Sequence, residues 1–173
     1  MAITDEERFA ALFRAYQPAV MRYALRRVDV VDADDLVAQT FLTVWRKLDQ
    51  VPKDPLPWLY GVTRHTMLDG FRERERRGRL HGRLSAVADF VAPGVDSDAA
   101  LDVRRALAQL KESDQELLRL SAWEDLHPAE IARVVGCSAA TAAVRLHRAR
   151  RRLAAALGSA ATPQPTLTSG VRP

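Results

Sequence analysis

Apolar positions along this chain recur at the three-and-four spacing of an amphipathic helix in one segment after another. Phe9, Leu12, Phe13 and Tyr16 form the first stripe. Ahead of it stands Thr4-Asp5-Glu6-Glu7, a pattern that caps a helix start with reciprocal hydrogen bonds. Val20, Tyr23, Ala24 and Val28 continue the stripe beyond Pro18, where a missing N–H predicts an interruption or a kink. A second helix is predicted from Asp32-Ala33-Asp34-Asp35, carboxylates that complement a helix N-terminus, through Leu36, Val37, Thr40, Phe41, Val44, Trp45 and Leu48. Its apolar face is broad and carries two large aromatics, so part of it is expected to meet another protein.

A connection rich in proline (Pro52, Pro55, Pro57) leads to a third helix. There Trp58, Leu59, Val62 and Phe71 look inward, while Arg64, His65, Asp69, Arg72, Arg76 and Arg77 are polar and mostly cationic. Aromatic rings beside cations suit opened nucleic acid, with bases on rings and phosphates on guanidinium groups. A solvated, arginine-rich helix end explains the same residues equally well. Beyond Arg79 the helical period is lost in a stretch containing VAPGVDSDAA, the candidate linker. Leu101, Val103, Leu107 and Leu110 resume it, and Ser113-Asp114-Gln115-Glu116 reads as a second capping pattern before Leu117, Leu118, Leu120 and Trp123.

Pro128 to Leu153 reads as two helices about a tight turn. Pro128 fits a first helical turn, Gly136 supplies the permissive backbone of the turn, and Ser138 is a good N-cap. Ala142, Leu146, Ala149 and Leu153 make one apolar stripe on the second helix. Opposite it stand Thr141, Arg145, Arg148 and Arg152, thickened by Arg150 and Arg151, with no carboxylate after Val135 in the sequence to neutralise them. A helix that packs on one side and offers guanidinium groups on the other suits a DNA major groove. The architecture expected is therefore all-α, with two small helical domains at 5–78 and 99–157. A flexible linker at 79–98 joins them, and a disordered tail follows at 158–173.

Charge sharpens this picture. The 173 residues carry a formal net charge of +4, but the arginines gather in two clusters, 72–83 and 145–152, which implies two contacts with a polyanion. A lone cysteine, Cys137, excludes an internal disulfide and, with an acidic N-terminus and no long apolar run, points to a cytoplasmic protein without membrane insertion. Cys137 itself reads as a packing residue. His65, His81, His127 and His147 lack partners at metal-ligand spacing, and no nucleophile-base arrangement or phosphate-binding glycine loop stands out. No catalytic residue, metal, cofactor or small-molecule substrate is expected. A nucleic-acid-processing enzyme lacks the acid cluster that would hold Mg²⁺. A free-standing helix-turn-helix regulator explains 128–153 but not the cationic, aromatic third helix.

Three segments together carry a family resemblance: DADDLVAQTFLTVW, PWLYGVTRHTMLDGFRERERR, and the run from LKESDQELLRL to VRLHRARRRL. The chain resembles the extracytoplasmic-function (ECF) sigma factors of bacterial RNA polymerase, the short ones built of regions 2 and 4, from Phe9 to Leu157. The resemblance implies that Asp35, Leu36, Gln39, Phe41 and Trp45 dock on the clamp of the polymerase core. It implies that Trp58, Arg64, His65, Asp69, Arg72, Arg76 and Arg77 capture and melt the −10 promoter element. Ser138, Thr141, Val144, Arg145, Arg148 and Arg152 would read the −35 element in promoter DNA. An anti-sigma factor is the further partner that many relatives have. Three departures from the family pattern stand out: Ala38 and Gln39 replace a Gln-acid pair, His65 replaces an Asn, and Ala142-Ala143-Val144 replaces Val-Lys-Ser. The last change removes a polar contact and offers a methyl-bearing side chain to a thymine methyl.

Overall fold

The computed structural model describes residues 4–76 and 98–160, and these are helical apart from their connections. Helix α1 spans Asp5–Leu25, α2 Val30–Arg46 and α3 Leu56–Arg76; α4 spans Asp98–Ala108, α5 Glu112–Ala122, α6 Pro128–Val135 and α7 Ala139–Ala160. The expected all-α architecture holds, and α7 continues to Ala160. Apart from Asp98, the expected linker lies outside the described residues, as does the tail after 160.

The capping pattern at Thr4 forms as expected: the Glu7 N–H donates to Thr4 Oγ1 at 3.2 Å, and the Thr4 N–H donates to Glu7 Oε2 at 2.9 Å. Pro18 does not end α1. The carbonyl that loses its partner there belongs to Arg14, an exposed residue, so water can satisfy it. Helix α2 starts earlier than expected, capped by Asp29, whose Oδ1 accepts from the Asp32 N–H at 2.9 Å. The apolar pattern hid this start because Val30 and Val31 face solvent.

Two cores organise the molecule. Val20, Ala24, Ala33, Leu36, Val37, Phe41, Val44, Leu59 and Met67 close the first, between α1, α2 and α3. Leu107, Leu117, Leu118, Leu120, Leu126, Ile131, Ala142, Leu146 and Ala149 build the second, but Tyr23 of α1 and Tyr60 of α3 belong to it as well. The two tyrosine rings stack at 4.8 Å and present one flat apolar surface to the C-terminal helices.

Around this surface lies a buried polar cluster. Arg27 is 1% exposed, its guanidinium 3.5 Å above the Tyr23 ring. It pairs with Glu116 at 3.0 Å and Glu124 at 3.2 Å, while Arg26 reaches Glu124 at 2.9 Å. The Tyr23 hydroxyl donates to Glu116 at 3.0 Å. The pattern 113–116 is therefore not a capping box. Helix α5 has Lys111 at its cap position with no side-chain bond, and Glu116 turns instead toward Arg27, 89 residues away in sequence. Burial is the largest single influence on Glu116 and would raise its pKa, but the Arg27 charge and hydrogen bond, the Arg119 charge and the Tyr23 hydroxyl together hold it below the ordinary value. Burial, reinforced by the Glu116 charge, pushes the Tyr23 hydroxyl well up, and burial lifts Tyr60 to about 12.

Candidate polymerase and nucleic-acid interfaces

On α2, the expected clamp-facing residues divide between surface and core. Asp35 and Gln39 are exposed and Trp45 is 42% exposed, whereas Leu36 and Phe41 are buried at 7% and 3%. Those two face inward because 33, 36, 37, 40, 41 and 44 form the buried stripe of the helix. Phe41 meets Phe13 edge-on at 4.8 Å and Phe9 at 6.3 Å, and Phe9 meets Trp45 at 5.2 Å. The aromatic cluster thus begins in the core and ends at the surface. Leu42 (55% exposed) and Phe13 (41%) complete an outward apolar patch that the sequence reading missed. The available signal was a large apolar residue at 42, off the inward stripe.

On α3, Trp58, His65, Asp69, Arg72 and Arg76 follow one another at seven, four, three and four residues, along one helix face. Asp69 accepts from Arg72 at 3.0 Å and lies 3.2 Å from His65 Nε2; Arg76 pairs with Glu73 at 2.6 Å. These exposed pairs contribute little stability, so a polyanion can displace them. Arg64 is half-buried to one side, and Arg77 lies outside the described residues. Thr63, deep under this face, donates its hydroxyl to the Leu59 carbonyl at 2.8 Å, so that buried donor is satisfied. A groove lined by Trp58, Val62 and His65 on one side has Arg133 and Val135 on the other.

Helices α6 and α7 form the expected helix-turn-helix. Gly136 ends α6 with φ 71°, a left-handed conformation that only glycine adopts without strain, and its N–H donates to the Ala132 carbonyl at 2.9 Å. Ser138 then caps α7, accepting from the Thr141 N–H at 3.1 Å and sharing a hydrogen bond with the Thr141 hydroxyl at 2.8 Å. Ala142, Leu146 and Ala149 are buried. That fixes the opposite face outward: Thr141 and Arg148 exposed, Val144 50% exposed, Arg145 half-buried. Arg152 differs from its expected role in one respect. Asp114 of α5 accepts from it at 2.6 Å, a carboxylate invisible to a reading confined to α7. Arg150 likewise reaches the Ser121 hydroxyl at 2.8 Å.

Among the described residues no group of three or more His, Cys, Asp or Glu side chains gathers as a metal site, and no helix is long and apolar enough to cross a membrane. Two family models match the chain: Sigma-70 region 2 over residues 12–77 and Sigma-70 region 4 over residues 100–153. The sigma factor NccH of Alcaligenes xylosoxydans xylosoxydans is 30% identical over 138 residues, covering 74% of each chain. The chain belongs to the ECF sigma factors of RNA polymerase. Other relatives of this sigma factor include the ECF sigma factor SigF of Caulobacter vibrioides, 33% identical over 76% of this chain and 75% of that one. In three dimensions it resembles the sigma factor RpoE of Bartonella quintana, solved with the anti-sigma factor NepR. That likeness has a TM-score of 0.66 and 25% identity over 87% of this chain and 96% of the other. CnrH, solved with the cytosolic domain of CnrY, gives a TM-score of 0.60 and 26% identity over 89% of each. As an ECF sigma factor the protein is a transcription initiation factor that directs RNA polymerase to promoters, and nothing in these likenesses favours a free-standing regulator.

Proposed function

We propose that the sigma factor grips the polymerase clamp through the exposed α2 patch of Asp35, Gln39, Leu42 and Trp45, with Phe13 beside it. Leu36 and Phe41 support that patch from beneath. Residues 5–78 act as the unit that captures the −10 element, with Trp58 offering a stacking surface and His65, Arg72 and Arg76 its cations. Residues 99–157 read the −35 element through α7. The chain holds no catalytic group of its own, since phosphoryl transfer belongs to the polymerase, and it works in the cytoplasm where polymerase and promoters are.

One observation carries this reading: two cationic faces lie on separate helical units, each backed by a buried apolar stripe. Thr141, Val144, Arg145 and Arg148 stand over Ala142, Leu146 and Ala149. Val144 in place of a polar residue supports an upstream element in which a thymine methyl is read by contact. Run-off transcription from genomic fragments with added core polymerase tests the whole. Promoter-dependent product is expected, and its absence across fragments would reject the reading. Replacing Arg145 with alanine is expected to weaken use of the upstream element by about 1–3 kcal/mol, read as a fall in run-off product from one promoter.

A further inference from the structure

A carboxylate stands where a polyanion is expected. Asp69 lies in the middle of the α3 face assigned to opened DNA, one turn from His65 and three residues from Arg72. A negative charge there repels phosphate, so as a mere neighbour it would weaken the grip of the cations beside it. Its two oxygens are divided between two partners. Oδ1 accepts from Arg72 Nη1 at 3.0 Å, and Oδ2 lies at hydrogen-bonding distance, 3.2 Å, from His65 Nε2. The arrangement leaves the other ring nitrogen free. A neutral imidazole carries its proton on one nitrogen and a lone pair on the other. A carboxylate only accepts, so Asp69 favours the tautomer protonated at Nε2 and leaves Nδ1 as an acceptor. The His65 side chain is 76% exposed, and no other group among the described residues is bonded to it, so Nδ1 is open to a ligand. The cations that share its groove, Lys47, Arg64 and Arg133, can only donate, and His65 supplies an acceptor among them.

We propose that Asp69 is a positioning residue: anchored by Arg72, it keeps the proton on His65 Nε2, so that Nδ1 selects the base at one position of the −10 element by accepting a hydrogen bond from it. The proposal rests on the promoter-specificity reading above. Being exposed, the pair adds little to stability. Choosing a tautomer needs little, since ~1.4 kcal/mol gives a tenfold bias. The consequence for the bases is specific. Cytosine bears an amino group where thymine bears a carbonyl oxygen, and adenine bears one where guanine bears a carbonyl oxygen. The adjacent ring nitrogen reverses its donor or acceptor character within the same two pairs. A lone acceptor therefore separates cytosine from thymine and adenine from guanine, bases of equal ring size that stacking on Trp58 tolerates alike. Reversing the tautomer exchanges the two members of a pair and leaves ring size alone.

That exchange is the test. In D69N the one remaining oxygen stays with Arg72, whose charge makes it the stronger donor, and the amide N–H groups turn toward His65. Nε2 must then accept, and the proton moves to Nδ1, as the same substitution does in a Ser-His-Asp triad. Run-off transcription with core polymerase, at about pH 8 to keep histidine neutral, is read across promoters carrying each base at each −10 position. The native full-length protein is expected to favour one member of a same-size pair at one position by about tenfold. H65A is expected to be indifferent there, and D69N to favour the other member. Circular dichroism of both variants should match the native protein, because His65, Asp69 and Arg72 are all exposed. A native protein indifferent within both pairs would overturn the proposal, as would an unchanged preference in either variant or a folded D69N that yields no product. Absence of promoter-dependent product from the native protein would instead overturn the promoter-specificity reading.

Discussion

Replacing Phe41 with aspartate is expected to unfold the N-terminal unit, whereas replacing Trp45 with alanine is expected to leave it folded and weaken polymerase binding. Both residues lie on α2 and both touch Phe9, yet Phe41 is 3% exposed and Trp45 42%. Truncating a buried Phe to alanine costs about 3–5 kcal/mol, and a carboxylate there adds the cost of an unpaired buried charge. A domain's whole stability is only ~5–15 kcal/mol. Aspartate at 41 should therefore remove most helical circular dichroism from residues 5–76 at room temperature. Trp45 rests on Phe9 yet keeps 42% of its surface exposed, and it stands at the surface with Leu42 and Phe13 as an aromatic anchor. Truncation of such anchors costs ~2 kcal/mol or more at protein interfaces, about thirtyfold in affinity. Co-elution with core polymerase, read beside a thermal melt, separates the two effects. A W45A protein that melts early would place Trp45 among the structural residues.

Arg27 is the second position where a large effect is expected. Leucine there leaves Glu116 and Glu124 facing each other without a cation at the centre, and breaking one side of a buried ion pair costs about 3–5 kcal/mol. The packing between the two units should then give way before either core does. Calorimetry of the native protein is expected to show one transition, with two for R27L, one for each core. A single unshifted transition would mean the cluster does not couple the units. Acid should reproduce the effect in the native protein. Glu116 has a pKa held below 4.5, the ordinary value for a glutamate, so its contribution is fully present above that pH. It is lost as pH falls through the lowered value, because the unpacked state takes up a proton first. Coupling should accordingly weaken only below about pH 4.5, not near neutrality.

Much of this was legible in the chain because local rules dominated. The Thr4 cap, the Gly136 turn, the Ser138 cap and the Ala142–Leu146–Ala149 stripe each follow from residues a few positions apart. What was misread depended on distance. Glu116 looked like a capping residue because its true partner is Arg27, beyond any local window. Arg152 looked unpaired because Asp114 belongs to another helix. Leu36 and Phe41, grouped with the surface by resemblance, were already marked as inward by their spacing with Val37, Thr40 and Val44. At that one place periodicity was the better guide.

The bond from Arg152 to Asp114, with Arg150 held by Ser121, alters how binding to the upstream element should respond to ionic strength. Five arginines stand between 145 and 152, but two are already occupied. If only the remaining three displace condensed cations from the duplex, log K should fall against log salt with a slope near −2.7 rather than about −4.5. The helix thereby retains a grip that weakens gently as salt rises, leaving discrimination to shape and methyl contact more than to counterion release.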